Sequence, residues 1–337
     1  MMQKKYIRWI LFLAALLLLL LISVVISLSS GEVKISWSNL PAIFSNKNSI
    51  EYAVLTKIRL PRLILAIAVG GGLSLSGAIL QGIYRNPLVE PYTLGISGGA
   101  ALGVAIAIVF AFQNISYITL PLFGFGGAIV TLFIVYFLSV KKDGLSVSSM
   151  LLIGVMVSFV SSSAMMFLMS ITTTDNLQSI VFWVMGSLDE SKPLLINIAI
   201  YSSLAGLVLT YLFSTSLNAL RLGESKARHL GINTKVTVKI LFFIASLLTG
   251  IAVSVAGVIG FVGLVIPHIM RLIIGNDYRI LIGSSFLGGA IFLVLSDTLA
   301  RTIISPNELP IGVITGFVGG LVFIVILART KSYFKLN

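Results

Sequence analysis

Ile10-Leu-Phe-Leu-Ala-Ala-Leu-Leu-Leu-Leu-Leu-Leu-Ile-Ser-Val-Val-Ile26 carries no charge, and with its apolar flanks it extends from about residue 7 to residue 29. An α-helix rises about 1.5 Å per residue, so about 20 such residues cross the ~30 Å of bilayer hydrocarbon. Lys4, Lys5 and Arg8 precede the run, which is the layout of a secretory signal. The apolar part of a signal is shorter, about 7–15 residues, and it stands alone. Here further runs follow, so this one is expected to persist as the first membrane helix.

Those further runs lie at about 62–82, 93–112, 117–140, 146–170, 193–214, 236–256, 258–274, 280–301 and 311–329. The expected fold is an all-α membrane protein of about ten transmembrane helices, with both termini on one side. The stretch Ile240–Ile274 is nearly continuous, and Gly257 marks the break within it. Residues 1–337 read as a single transmembrane domain with two notable connections, 30–61 and 215–235. Neither is long enough to fold independently.

Composition agrees with this reading. Charged residues make up 10% and apolar ones 57%, with a mean hydropathy of +1.07, whereas a soluble domain is about a quarter charged. The net charge of +12 comes from basic residues scattered singly between apolar runs, which argues against nucleic acid as a partner. Cysteine is absent and His229 and His268 are the only histidines. Disulfides and thiolate metal sites are therefore excluded, and no resident metal or cofactor is expected in this chain.

With both termini in the cytoplasm, inner segments hold sixteen of the twenty-three Lys and Arg residues, as the positive-inside rule requires. The outer seven are Lys34, Lys47, Lys57, Arg59, Arg62, Lys192 and Arg301. Five of these crowd into one outer segment.

No phosphate-cradling G-x-x-x-x-G-K-[ST] and no Ser/His/Asp constellation occurs, so this chain is not expected to hydrolyse ATP. Energy for uphill movement must come from a partner or an ion gradient. An ion-coupled carrier wants several paired acids in its spans, and only Asp297 qualifies. An intramembrane enzyme wants a serine beside its histidine, and His268 has only Pro267 next to it.

The inner loop Leu220-Arg-Leu-Gly-Glu-Ser-Lys-Ala-Arg-His-Leu-Gly-Ile232 reads in two ways. It is an ordinary solvated connection, or a short surface helix closed by Gly231 as a left-handed cap that could enter a partner's groove.

At this loop the sequence resembles the FecCD family, permeases of ABC importers for iron-siderophore complexes, haem and vitamin B12. The resemblance runs from about Ile35 to Leu327. It is carried by Arg59-Leu-Pro-Arg62, Gly77-Ala-Ile-Leu-Gln81, Asn86-Pro-Leu-Val-Glu-Pro91 with Leu94-Gly-Ile-Ser-Gly-Gly-Ala100, and Phe182-Trp-Val-Met-Gly-Ser187. The loop itself, Gly260-Phe-Val-Gly-Leu-Val-Ile-Pro-His-Ile-Met-Arg271, Ser296-Asp297 with Ala300-Arg301, and Glu308-Leu-Pro-Ile-Gly-Val-Ile-Thr315 complete it. The resemblance implies a type II importer permease in a prokaryotic cell membrane, working as a homodimer by alternating access. Its implied partners are ATPase subunits that hold ATP and Mg, an extracytoplasmic substrate-binding protein, a second copy and membrane lipid. The implied cargo is a ferric siderophore, with haem or a corrinoid as alternatives.

Residue by residue, the resemblance makes Arg221, Gly223, Glu224, Ala227, Arg228, Leu230 and Gly231 the segment that couples to the ATPase. Lys57, Arg59, Arg62 and Arg301 become the docking cluster for acidic residues of the binding protein, a role that suits the guanidinium fork. Snorkelling to lipid phosphates is the other reading of these cations. Asp297 stands one helical turn before Arg301, so it is expected to orient that residue.

Asn86 and Leu88, with Ser146 and Val147, could narrow a cytoplasmic mouth, and the resemblance supports such a constriction; a plain turn is the alternative. Small residues recur four apart at Gly95, Gly99 and Gly103 and at Gly312, Gly316 and Gly320, a pattern that predicts close helix packing. Because the fifth and last helices border the path in the family, Ser158, Ser161, Ser162 and Met165, with Gly312 and Gly316, are candidate lining residues. Family members commonly carry Gly-x-Pro in the last span, where this chain has Gly319-Gly320-Leu321. The kink that such a proline would impose is not expected here.

Overall fold

The computed structural model describes residues 2–31, 33, 40–141, 144–145, 147–190 and 192–334. Small residues decide its centre. Helix α4 (Leu60–Tyr84) carries Gly70, Gly71, Gly72, Ser74, Ser76 and Gly77, and these let three other helices approach to backbone contact. A methyl on Gly70 would strike the Gly289 carbonyl of α14 (Tyr278–Thr302), and one on Gly77 would strike the Gly263 carbonyl of α13 (Val262–Ile274). Ser74 Oγ donates to Ser285 O over 2.7 Å, and Ser76 Oγ donates to Ala245 O of α12 (Thr234–Ala256) over 2.8 Å. Of the most apolar window in the helix containing α4, 89% is buried, against 17% for α1 (Met2–Ser29) and for α7 (Val147–Ile171). α4 is therefore the hub, with α1 and α7 on the periphery.

Seven of the described helices are long and apolar enough to cross a membrane. They include α6 (Thr119–Ser139) and α9 (Pro193–Leu212). Shorter apolar helices stand where the third, eighth and tenth spans were expected: α5 (Ile96–Val109), α13, and the described part of α15 (Ile311–Phe334). α5 begins three residues later than the sequence suggested and α13 four residues later, because non-helical segments precede both. The expected break is present: Gly257 adopts φ +70° and the chain is irregular as far as Phe261.

Part of the outer connection 30–61 is helical. After α2 (Leu40–Ser45), Ser49 accepts a hydrogen bond from Tyr52 N and starts α3 (Ile50–Ala53). A π-helical turn, Val54–Arg59, then joins α3 to α4 without interruption. The sequence does not announce α8 (Thr174–Met185), which is too short to span. Its Thr173 cap accepts from Asn176 N, and Gly186 follows its last turn. Ser187 N donates to Ala256 O, and Ile311 N donates to Gly186 O, so α8 ties the ends of α12 and α15 together.

Residues assigned to one side gather at one end. Lys5 and Arg8 reach Asp277 and Ile273 O, and Arg221 reaches Asn276 O. Arg59, Arg62 and Arg301 lie at the other end with Ser27, Leu28 and Glu308. Two short strands, Val140–Lys141 and Gly144–Leu145, pair antiparallel between α6 and α7.

Candidate functional site

The arginine cluster is real, but it is turned inward. Asp297 is 2% exposed and grips two guanidiniums: Oδ1 accepts from Arg62 Nε over 2.7 Å, and Oδ2 accepts from Arg301 Nε over 3.0 Å. Arg62 Nη1 also meets Glu308 Oε2 at 2.7 Å. Arg301 donates further to Ser27 Oγ, Ser27 O and Ser30 O. Arg59 binds the carbonyls of Leu28 and Val33, and its guanidinium lies beside Gly31 near that of Arg301.

Arg59, Arg62 and Arg301, three of the residues expected to dock a binding protein, are buried, and a guanidinium removed from water must find acceptors. Of the four expected residues only Lys57 is exposed. The i,i+4 pairing of Asp297 with Arg301 is as expected. Sequence reasoning missed Arg62 as a second partner, and it missed Glu308, which is about half exposed.

At the other end, α10 (Ser214–Leu220) leads to the segment expected to couple to an ATPase, and α11 (Glu224–His229) is a surface helix. Gly231 N donates to Arg228 O and Ile232 N donates to Ala227 O. With Gly231 at φ +82°, this is a Schellman closure, which matches the capped-helix reading of the two that the sequence allows. Ala227 is buried beneath the helix. Leu222 and Leu230 are exposed, Glu224 pairs with Arg228 at 3.4 Å, and Gly223 starts the helix at φ +104°. This element presents two leucines amid charge, and the described residues leave both uncovered.

In the expected gate, Asn86 Oδ1 accepts from Leu88 N over 2.9 Å, an Asx turn, and both side chains are exposed. Val147 begins α7 half-buried, and Ser146 lies outside the described residues. A clamp that sequence reasoning missed sits deeper. Glu90 Oε1 accepts from Phe261 N over 2.7 Å. Tyr92 Oη donates to Ile259 O over 2.9 Å and accepts from Ile259 N over 3.0 Å. These two side chains satisfy the irregular backbone between α12 and α13, which needs such partners when buried.

Burial pushes the Glu90 carboxyl above its usual range, against the lowering effect of the Phe261 N–H. Glu90→Ala is expected to cost about 1–3 kcal/mol by orphaning that donor, whereas Glu90→Gln keeps an acceptor and recovers most of the loss. The raised group leaves the wild type most stable below the ordinary carboxylate pKa, with stability falling as pH rises through the raised value. Melts of Glu90→Gln across that window are expected to lack this slope.

The candidate lining residues divide. Ser161 is buried, and Ser158 and Ser161 pack against Gly98 of α5. Ser162 is half-buried, and Met165 packs into the small cluster around Val104, Ile108 and Ile180. The exposed face of α7 is carried instead by Leu152, Met156, Phe159, Val160 and Phe167. Close packing holds at Gly95, Gly99 and Gly103, which meet α7 and α6. On α15 it holds at Gly312, against Met185 O, while Gly316 faces open space. Where the family's proline is missing, Phe261 covers the helix, its Cβ 2.5 Å from a methyl placed on Gly319.

A family model described as the FecCD transport family matches residues 19–329. The hemin transport system permease protein HmuU of Yersinia pestis is 36% identical over 325 residues, 96% of this chain and 96% of that protein. The molybdate import system permease protein MolB of Haemophilus influenzae is 36% identical over 326 residues, 94% of this chain and 95% of that protein. A solved inward-facing ABC transporter, described as of metal-chelate type, is similar at TM-score 0.84 and 33% identity, covering 95% of this chain and 99% of that one.

Proposed function

Because this chain belongs to the FecCD transport family and is an ABC-importer permease, we propose that two copies of it enclose a path for a metal chelate, driven by separate ATPase subunits. The coupling helix carries this reading: a capped element with Leu222 and Leu230 exposed is built to seat in another protein. ATP and Mg belong to that partner. The membrane is the cell membrane of a prokaryote, with the arginine cluster outside.

A loaded binding protein docks at the outer end. Its carboxylates do not meet bare guanidiniums. They exchange with Glu308, the half-exposed acid on Arg62, and they approach Lys57 directly. The long reach of charge steers that encounter.

On this reading the exposed apolar faces of α7 and α15, with Phe159, Phe167, Phe317 and Ile324, border the path between the two copies, which favours a bulky chelate with an apolar skin over a small oxyanion. A ferric siderophore is the proposed cargo. Proteoliposomes holding this chain, its ATPase and its binding protein test the reading with ferric siderophore, haem, cobalamin and molybdate in parallel, with and without internal ATP. ATP-dependent uptake of the siderophore alone is the expected result. Uptake of another cargo moves the substrate, and transport by an ion gradient without the ATPase overturns the mechanism. Leu230→Glu is expected to reduce uptake at least tenfold while the permease still folds, since that side chain is exposed.

A further inference from the structure

Three guanidiniums converge where the gate loop, the coupling segment and the connection between α13 and α14 meet. They border a pocket of about 220 Å³ lined by Gln81, Arg85, Arg221, Arg271, Asn276 and Tyr278. Among the described residues, no carboxylate pairs with any of the three. Asp277, the acid next in sequence to the pocket, already holds Lys5 Nζ at 3.0 Å, Asn218 Nδ2 at 2.9 Å and Arg279 N at 3.2 Å. Glu224 is taken by Arg228. Arg221 gives Nη1 to Asn276 O at 2.6 Å, and Arg85 Nη1 lies beside Gly223.

Among the described residues, two buried side-chain atoms of residues lining this pocket have no hydrogen-bond partner. One is Arg271 Nη2, a charged donor; the other is Gln81 Oε1, an acceptor. Gln81 is held in place because its Nε2 donates to Gly263 O at 3.1 Å and Leu264 O at 3.2 Å. Neither atom has surface of its own in the pocket; since buried polar groups are nearly always satisfied, an occupant that draws both in must accept from guanidinium and donate to an amide oxygen. A carboxylate accepts only. A phosphate fits the guanidinium fork, and one that also carries a hydroxyl supplies the donor. The volume equals that of about seven liquid waters, which is room for such a group. Lys5, Arg8 and Arg279 near this end add to the attraction for anions.

We infer that this pocket binds a phosphate anion bearing a hydroxyl donor, the chemistry shared by a glycerol-headed phospholipid and free hydrogen phosphate. Its walls come from the gate loop and from the start of the coupling segment, so an occupant ties those two segments together. The site does not depend on the cargo or on docking.

The test uses the full chain in phosphatidylcholine nanodiscs. One arm adds phosphatidylglycerol to the disc, a second adds inorganic phosphate to the buffer, and a chloride arm matches ionic strength. Melting temperature and native mass spectrometry are read for the wild type, for Arg85→Gln, whose side chain is exposed, and for Arg271→Gln. One retained phosphatidylglycerol per chain with a raised melting temperature, bound about tenfold more weakly in Arg85→Gln, is the expected result and assigns the lipid. The same pattern with inorganic phosphate alone assigns the free ion. No shift relative to chloride, or a shift unchanged in both variants, overturns the site and leaves water to fill it.

Discussion

Asp297→Ala is expected to destabilise the protein by about 3–5 kcal/mol, the scale for breaking a buried ion pair by removing one partner. The carboxylate joins Arg62 on one helix to Arg301 on its own, and both guanidiniums are buried. Without it, among the described residues, Arg301 keeps Ser27 and the Ser30 carbonyl, and Arg62 keeps Glu308. Thermal unfolding followed by fluorescence-detected size exclusion measures the loss. Pairing Asp297→Leu with Arg301→Met removes one charge of each sign and is expected to recover part of it. A loss for Asp297→Ala below about 1 kcal/mol, the scale of an exposed pair, would mean that water reaches the cluster.

Gly77→Val comes next in expected effect. Overpacking costs about 1–3 kcal/mol where neighbouring side chains can give way. Here the obstacle is the backbone carbonyl of Gly263, whose helix is held through Gln81 as well. The loss is expected at or above the top of that range, read as a lower melting temperature and a smaller folded fraction on extraction. Gly126→Ala is the control. Nothing lies within 4 Å of the added methyl, so the change is neutral or stabilises by up to about 1 kcal/mol through helix propensity. If both variants melted alike, close approach at Gly77 would not be what holds α4 in place.

Most of the helices were legible because a run of about 20 apolar residues fits little besides a membrane span, and Gly257 announced its own break. The helix α8 was not legible: twelve residues with a polar face fall below any spanning window, although Thr173 and Gly186 mark its ends. The excess of outer cations was visible, but the burial of Arg59, Arg62 and Arg301 was not. Arg62 and Asp297 are 235 positions apart, and no local pattern joins them. The clamp from Glu90 and Tyr92 was hidden within a motif that reads as a turn. Hydropathy could not single out α4 as the hub, since lipid tails are as apolar as neighbouring helices. Its glycines and serines were the available signal.

The encasement of α4 bears on how the protein is made. During synthesis this helix enters lipid before α9, α12, α13 and α14 exist to cover it. Its sequence therefore answers to two solvents in turn: apolar enough, at a mean hydropathy of 2.2 in its best window, to leave the insertion machinery alone, and small enough in side chain to be wrapped afterwards. Substitutions that enlarge it pass the first test and strain the second, producing chains that insert with the right topology and assemble poorly.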